Sequence, residues 1–457
     1  MKKILNIKTT IVVSLILLLG LSVQAQTLNG LYFLEGNNNR NNLNPAFTSE
    51  SNYVSFPALG NVYIGVSTNV GMGAFLIPSG NELVTFLHES VSVEQALSNL
   101  KDNNMIESNI GLNIINVGFN SWGGSNSIAL NVKSITGTTL PKELFTFLKT
   151  GQNSSGVANY IIPETSIFTN NYAELAIGHA RNINDKLSVG AKVKALFGLA
   201  SIEAQIQDME INMTSNQWII KQNAQITASK GFYYTTDENG NIDGFDIDGF
   251  GLGGFGLGLD LGAVYKINDA VTVSLAVTDL GFISWSDNNT AYNSSDEFTY
   301  DGFDNLGAED SENGESTFDD DLDNTLDALE SLVQFQEGEI TNKTNSLYTT
   351  IRAAGEYAIL NNKISFGLLG SMRLGAATTI TEGMIIANFR PAKWFNASIN
   401  GSVSNITSSM GAVINLHSNH GANFFVGMDY ILATYSPQLI PIDSAKANIN
   451  FGLSFNF

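Results

Sequence analysis

The chain has 457 residues, of which 43 are acidic and 22 basic, and the net charge of −21 argues against a nucleic-acid partner. It holds no cysteine, which excludes disulfides, thiolate zinc sites and a lipid anchor on an N-terminal Cys. With 43 glycines, 8 prolines and no Pro-rich or Ser-rich linker, the composition gives no sign of separate domains.

In chain order, Lys2, Lys3 and Lys8 precede an apolar run from Ile11 to Leu21 that ends in Val23-Gln24-Ala25. This pattern predicts a secretory signal peptide over residues 1–25, cut after Ala25. The run falls short of the about 20 apolar residues a membrane helix needs, and no later run approaches that length. Residues 26–52 are Asn-rich and do not alternate, so they form either a disordered leader or a segment folded into a lumen.

Residues 53–457 alternate apolar and polar side chains in repeated stretches of roughly ten residues, the period of a membrane-spanning strand. Leu187, Val189, Ala191, Val193, Ala195 and Phe197 interleave with Ser188, Gly190, Lys192 and Lys194. Ile364, Phe366, Leu368, Met372 and Leu374 oppose Ser365, Gly367, Ser371 and Arg373, while Phe424, Val426, Met428, Tyr430 and Leu432 oppose Asn423, Gly427 and Asp429. Phe451, Leu453, Phe455 and Phe457 share the apolar face of the last strand.

Strands are predicted near 61–71, 107–120, 126–135, 171–182, 186–200, 253–266, 270–284, 346–359, 363–375, 379–390, 393–405, 408–417, 420–434 and 446–457. They amount to an all-β, antiparallel transmembrane barrel of about fourteen strands. Short polar turns such as Asn184-Asp185, Asn268-Asp269 and Asn361-Asn362 join strands at one end. Long connections near 72–106, 136–170, 201–252 and 285–345 join them at the other, which places the short turns in the periplasm.

Several motifs compete with bland readings. Gly251-Leu252-Gly253-Gly254-Phe255-Gly256 matches a dinucleotide fingerprint but opens no helix. It reads instead as a strand in which Gly253-Gly254 absorbs a change of parity through a bulge. Asp319, Asp321, Asp323, Asp327 and Glu330 have the spacing of a calcium loop, yet Asn324 stands where the turn needs Gly. An amphipathic helix from Leu322 to Val333 fits the same residues better. His417 and His420 share a turn without a further ligand, and no Ser or Asp stands with a His as a catalytic set, so neither a metal, a cofactor nor an enzyme is expected. Alternation turns Lys192, Lys194, Arg352, Glu356 and Arg373 toward the lumen. They read as a charged ladder filling the interior, or, for Lys192, Lys194, Arg352 and Arg373, as a site for the polar head of an amphipathic ligand.

The stretch Arg40-Asn41-Asn42-Leu43-Asn44-Pro45-Ala46-Phe47 resembles the Asn-Pro-Ala element in the N-terminal hatch of FadL-type long-chain fatty-acid transporters. It is also similar to the start of an uncharacterised Bacteroidetes outer-membrane family related to them and to PorV-like barrels. In that family, endings like Val277-Thr278-Asp279-Leu280-Gly281-Phe282 recur. The resemblance implies a bacterial outer-membrane barrel in which residues 26–52 are the hatch, with Asn44, Pro45 and Ala46 touching the lumen wall. Its implied function is passage of hydrophobic small molecules. The alternative is a PorV-like barrel that binds secreted proteins or a secretion complex through its loops.

Overall fold

A computed structural model of the chain describes residues 28–79, 82–152, 156–247, 251–293, 297–300, 334–375, 378–431 and 443–457. The expected signal peptide and the helix at Leu322–Val333 lie outside the described residues.

Fourteen antiparallel strands close into one barrel. They are β1 (Val62–Thr68), β2 (Asn103–Ser121), β3 (Gly124–Pro141), β4 (Thr165–Asn182), β5 (Leu187–Met213), β6 (Gly254–Lys266) and β7 (Val271–Asn293). The other half is β8 (Thr350–Ile359), β9 (Ile364–Arg373), β10 (Ile380–Ala392), β11 (Phe395–Ser404), β12 (Ser408–Leu416), β13 (Gly421–Met428) and β14 (Ala445–Asn456). Sequential strands pair from β2 through β14, and the ring closes where β14 pairs with β1, from Val62↔Phe451 to Thr68↔Ala445. On its other side β1 runs along β2, bracketed by the bonds Asn113 N–H to Asn61 O (2.8 Å) and Asn69 N–H to Met105 O (3.3 Å). A short strand, Tyr53–Ser55, fills the same gap nearer the short turns, pairing with Asn456–Ser454 on one edge and Gly118–Val117 on the other. No helix among the described residues is long and apolar enough to cross a membrane; closure lets strands do so, because no backbone edge is left unpaired in lipid.

The predicted alternation sorts side chains between the two faces. Val193, Phe366, Leu368, Ile385 and Ile399 stand exposed on the outer wall, forming an apolar belt, whereas Lys192, Lys194, Ser365 and Asn388 are buried within. Short turns are built from Asx chemistry: the Asn184 side chain accepts from Lys186 N–H and Leu187 N–H, and Asn268 repeats this with Ala270 and Val271. Leu360, Asn361 and Asn362 instead take left-handed conformations, with φ of 52°, 54° and 64°.

The structure corrects three readings. Parts of the connections near 201–252 and 285–345 are continuations of strands: β5 has 27 residues and β7 has 23, and Trp218–Ala228 pairs with both. Their outer stretches pack against other segments of the chain, with Ile211, Met213 and Ala291 buried, so they lose the apolar alternation that lipid imposes on a strand. No bulge occurs at Gly253-Gly254, where β6 merely begins; β6 pairs with β5 in unbroken register, and the bulge lies in the facing strand β7, where Thr278-Asp279 stand opposite Asp260. Tyr430 does not share the lipid face of β13, since the chain turns inward there and the phenol bonds Glu382 at 2.9 Å.

Leu368 is 64% exposed on the outer wall of β9. Leu368→Arg should therefore lower stability in a bilayer by about 2–4 kcal/mol if the site lies near mid-depth, measured by urea unfolding in lipid vesicles. A loss under about 0.5 kcal/mol would place this face away from lipid.

Candidate functional site in the barrel lumen

Three layers fill the barrel. Toward the short turns, the chain from Leu28 to Asn52 lies across the lumen. Its apolar side chains Leu31, Tyr32, Phe33 and Leu34 pack on the inward-facing Leu369, Met384, Ile386, Val413 and Phe425. Burial of this kind contributes about 1.5–3 kcal/mol per large side chain. Glycines on the wall make room for it. A Cβ at Gly190 would fall 2.1 Å from the Pro45 carbonyl oxygen, and one at Gly262 would fall 2.0 Å from Asn44 Oδ1. Asn44 closes a local turn by accepting from Ala46 N–H at 2.9 Å, and its amide donates to the Tyr32 hydroxyl at 3.0 Å and the Leu275 carbonyl at 3.4 Å. The polar Asn-rich composition thus serves contacts to strand backbones and inward side chains. At the short-turn rim the His417 ring lies against Gly36, and burial holds its imidazole below the ordinary range.

Above this segment lies a belt of buried charges. Lys194 Nζ sits 2.6 Å from Asp260, 2.7 Å from Asp279 and 3.8 Å from Glu174, and Lys133 Nζ sits 2.8 Å from Glu174 and 3.1 Å from Asp279. Asp279 reaches this cluster through a distortion of β7: its φ is 58°, and its N–H donates to Asp260 Oδ1 at 2.7 Å. That bulge resets the parity of the strand, so Val273 and Leu275 face out before it and Leu280 and Phe282 after it. Across the lumen Lys446 pairs with Glu382, and its ammonium lies 4.2 Å from the centroid of the Tyr430 ring. Asp429 is fully buried and accepts from Asn29 N–H (2.5 Å), Gly30 N–H (2.9 Å) and the Asn400 amide (3.0 Å).

Farther from the short turns, Ile135, Phe168, Tyr172, Leu196, Ile283, Trp285 and Leu347 form an apolar layer. A cavity of about 110 Å³ lies where this layer meets the charges, touched by Ile135, Tyr172 and Tyr348 from the one and by Lys133, Glu174 and Glu382 from the other.

The match to the family of unknown function DUF5723 covers residues 45–429. The chain belongs to that family. Among curated proteins nothing matches. Solved structures similar to it include a deletion mutant of the TodX monoaromatic hydrocarbon channel, at 10% identity over 92% of this chain and 95% of that one, with a TM-score of 0.44. The Pseudomonas putida toluene transporter TodX follows at 9% identity over 95% and 96%, TM-score 0.41. A Pseudomonas aeruginosa FadL homologue gives 10% identity over 90% and 91%, TM-score 0.39. At these identities the likeness is one of barrel shape alone.

All four lumenal cations singled out from the sequence line the one cavity, but their partners differ. Lys192 donates to Asn41 and Asn42 of the N-terminal segment at 3.1 and 2.8 Å. Arg352 donates to the Asn29 side chain at 3.2 Å and to Thr278 at 3.1 Å. Lys194 is the hub of the acidic cluster, and Arg373 pairs with Glu107 while lying 4.6 Å from the Tyr348 ring centroid. Glu356 lies apart from the cavity, held by Arg390 at 2.9 Å. The sequence reading missed Lys133, Glu174, Asp260, Asp279, Glu382, Asp429 and Lys446. Simple parity could have found Lys133 and Glu174; the switch of apolar positions between Val277 and Leu280 was the signal for Asp279. His417 lies within hydrogen-bond distance of the Asn396 amide, and no group of three metal-ligating side chains occurs among the described residues.

Two outcomes follow from these contacts. Lys194→Met leaves the buried Asp260 carboxylate without its ion-pair partner, so the purified barrel should lose about 3–5 kcal/mol in urea titration. A loss below about 1 kcal/mol would mean that the cluster is solvated and screened. Gly190→Leu cannot coexist with the seated Pro45; trypsin should then cleave after Arg40 in the folded variant and spare the same bond in the unaltered barrel.

Proposed function

We propose that this chain is a bacterial outer-membrane barrel whose lumen takes up small hydrophobic or amphipathic molecules, with residues 26–52 as its hatch. The apolar belt and the short-turn asymmetry support the location, the short turns lying in the periplasm. The observation that carries the cargo reading is the cavity at the boundary between the aromatic layer and the charges. An amphipathic guest would set its apolar part against Ile135 and Tyr172 and its polar group among Lys133, Arg352 and Arg373, all of which line that space. A larger guest needs side-chain or segment movement, because 110 Å³ holds only a few non-hydrogen atoms. Lys192 and Arg352 are placed to couple guest and hatch, since they touch both the cavity and the N-terminal segment.

Organic extraction of the purified full chain followed by mass spectrometry tests this reading. A bound amphiphile should be recovered. Arg373→Met, which removes a charge-assisted contact, should reduce its occupancy about tenfold. Recovery of secreted proteins with no small molecule would replace cargo passage with the partner-binding role of a PorV-like barrel.

A further inference from the structure

On the outer wall, β4 carries a column of exposed side chains, Leu175, Ile177, His179 and Arg181, that alternates with the buried Ala176, Gly178 and Ala180. Leu175 and Ile177 belong to the apolar belt, whereas His179 and Arg181 are polar and stand where the column nears the short turn at Asn184-Asp185. An outward-facing arginine is costly at the middle of a bilayer and nearly free at its edge, so the column crosses from hydrocarbon to headgroups here. Trp122, in the neighbouring turn between β2 and β3, is 77% exposed and stands edge-on to Phe119, as aromatic residues do at a membrane interface.

The two polar groups converge on that turn. A Cβ at Gly123 would lie 3.6 Å from Arg181 Nη2, and one at Gly124 would lie 3.1 Å from His179 Nε2, so the adjacent glycines form a floor beneath both. Among the described residues the Arg181 guanidinium has no ion pair or hydrogen bond, whereas Lys221, Lys230 and Lys343 of the long connections each hold a carboxylate. His179 Nδ1 lies 2.9 Å from Asn126 Oδ1, and the Asn126 amide nitrogen donates to the carbonyls of Phe119 and Ser121 at 3.3 and 3.0 Å. The Asn126 oxygen can only accept, so the neutral ring carries its proton on Nδ1 and keeps a lone pair on Nε2. A cation suited to phosphate thus stands beside an acceptor suited to a donor, both open to the lipid side.

We infer that this corner of the outer wall binds one phospholipid with an ethanolamine headgroup, its phosphodiester on Arg181 and its ammonium on His179 Nε2. The inference rests on the membrane location proposed above, which sets the short turns at a lipid leaflet. A guanidinium pairs with a phosphodiester through two parallel N–H donors, which fixes the headgroup over the glycine floor. The ethanolamine ammonium, two carbons from the phosphate, then reaches the lone pair of the neighbouring imidazole. A choline headgroup offers the same phosphate but no donor, so the site separates the two lipids by one charge-assisted hydrogen bond.

The chain has five arginines, and Arg40, Arg352, Arg373 and Arg390 all bond within the barrel. Solid-state NMR of the full chain with 15N-labelled arginine therefore isolates the site without a variant. In vesicles of equal phosphatidylethanolamine and phosphatidylcholine, in phosphate-free buffer, one guanidinium signal should be dephased by lipid 31P and four should not. No dephasing, or dephasing that survives Arg181→Gln, overturns the site. Native mass spectrometry from micelles of the same two lipids should show the ethanolamine lipid retained about tenfold over the choline lipid. His179→Phe should abolish that preference and keep the dephased Arg181 signal; equal retention by the unaltered chain overturns the headgroup assignment. Absent dephasing together with a costly Leu368→Arg sinks this site alone, whereas a harmless Leu368→Arg removes the lipid-facing wall and the site with it.

Discussion

Ala445–Asn456 carries the closure of the wall, bonding Gly421–Met428 along one edge and both Val62–Thr68 and Tyr53–Ser55 along the other. An open sheet of this size would expose two rows of unpaired amides, which lipid cannot solvate. Once the ring is closed, every strand residue faces either lipid or lumen, and the period of two fixes which. The glycines that let the N-terminal segment approach, the bulge that turns Asp279 inward and the opposed Lys446 and Glu382 all depend on a wall with a defined inside.

The interior then poses an electrostatic problem. Buried charges need partners at close range, and here Lys133 and Lys194 share three carboxylates while Arg373 and Lys446 each hold one. Such a set adds little net stability compared with an apolar core, because desolvation offsets the attraction. What it provides is a polar space of fixed geometry beside an apolar one. Bulging β7 at Asp279 is the structural means, since it brings two acidic side chains from adjacent strands to the same ammonium.

The barrel was legible in the sequence because lipid enforces strict alternation; Ile364 to Arg373 and Ala445 to Asn456 could be placed to within about two residues. Legibility failed where that constraint lapses. The outer parts of β5 and β7 pack against other segments of the chain instead of lipid and so look like loops, and Tyr430 leaves the wall at the point where the chain turns inward. Of the lumenal side chains, those on regular strands could be assigned a face, as with Lys192 and Lys194. Their partners could not, since Lys133 meets Asp279 across 146 positions and no periodicity encodes that distance. A bulge was foreseen for β6 at the conspicuous glycine pair, whereas it lies in β7, where Thr278-Asp279 stand opposite Asp260 and the Asp279 N–H bonds the Asp260 carboxylate.

The seating of the N-terminal segment also bears on the order of assembly. Asn29 and Gly30 bond Asp429 across 400 and 399 positions, and Asn38 reaches Asn456 across 418, so the first described residues find their places only when the last strands are made. Contacts of such separation are slow to form, as chain entropy is lost before they repay it. A segment bearing Tyr32, Phe33 and Arg40 cannot thread a finished ring whose interior is packed, so it must be enclosed as the wall forms around it. The first part of the chain therefore acts as a mandrel: β5 and β6 can close over Pro45, and β11 to β13 over Gly30, before β14 joins the two halves.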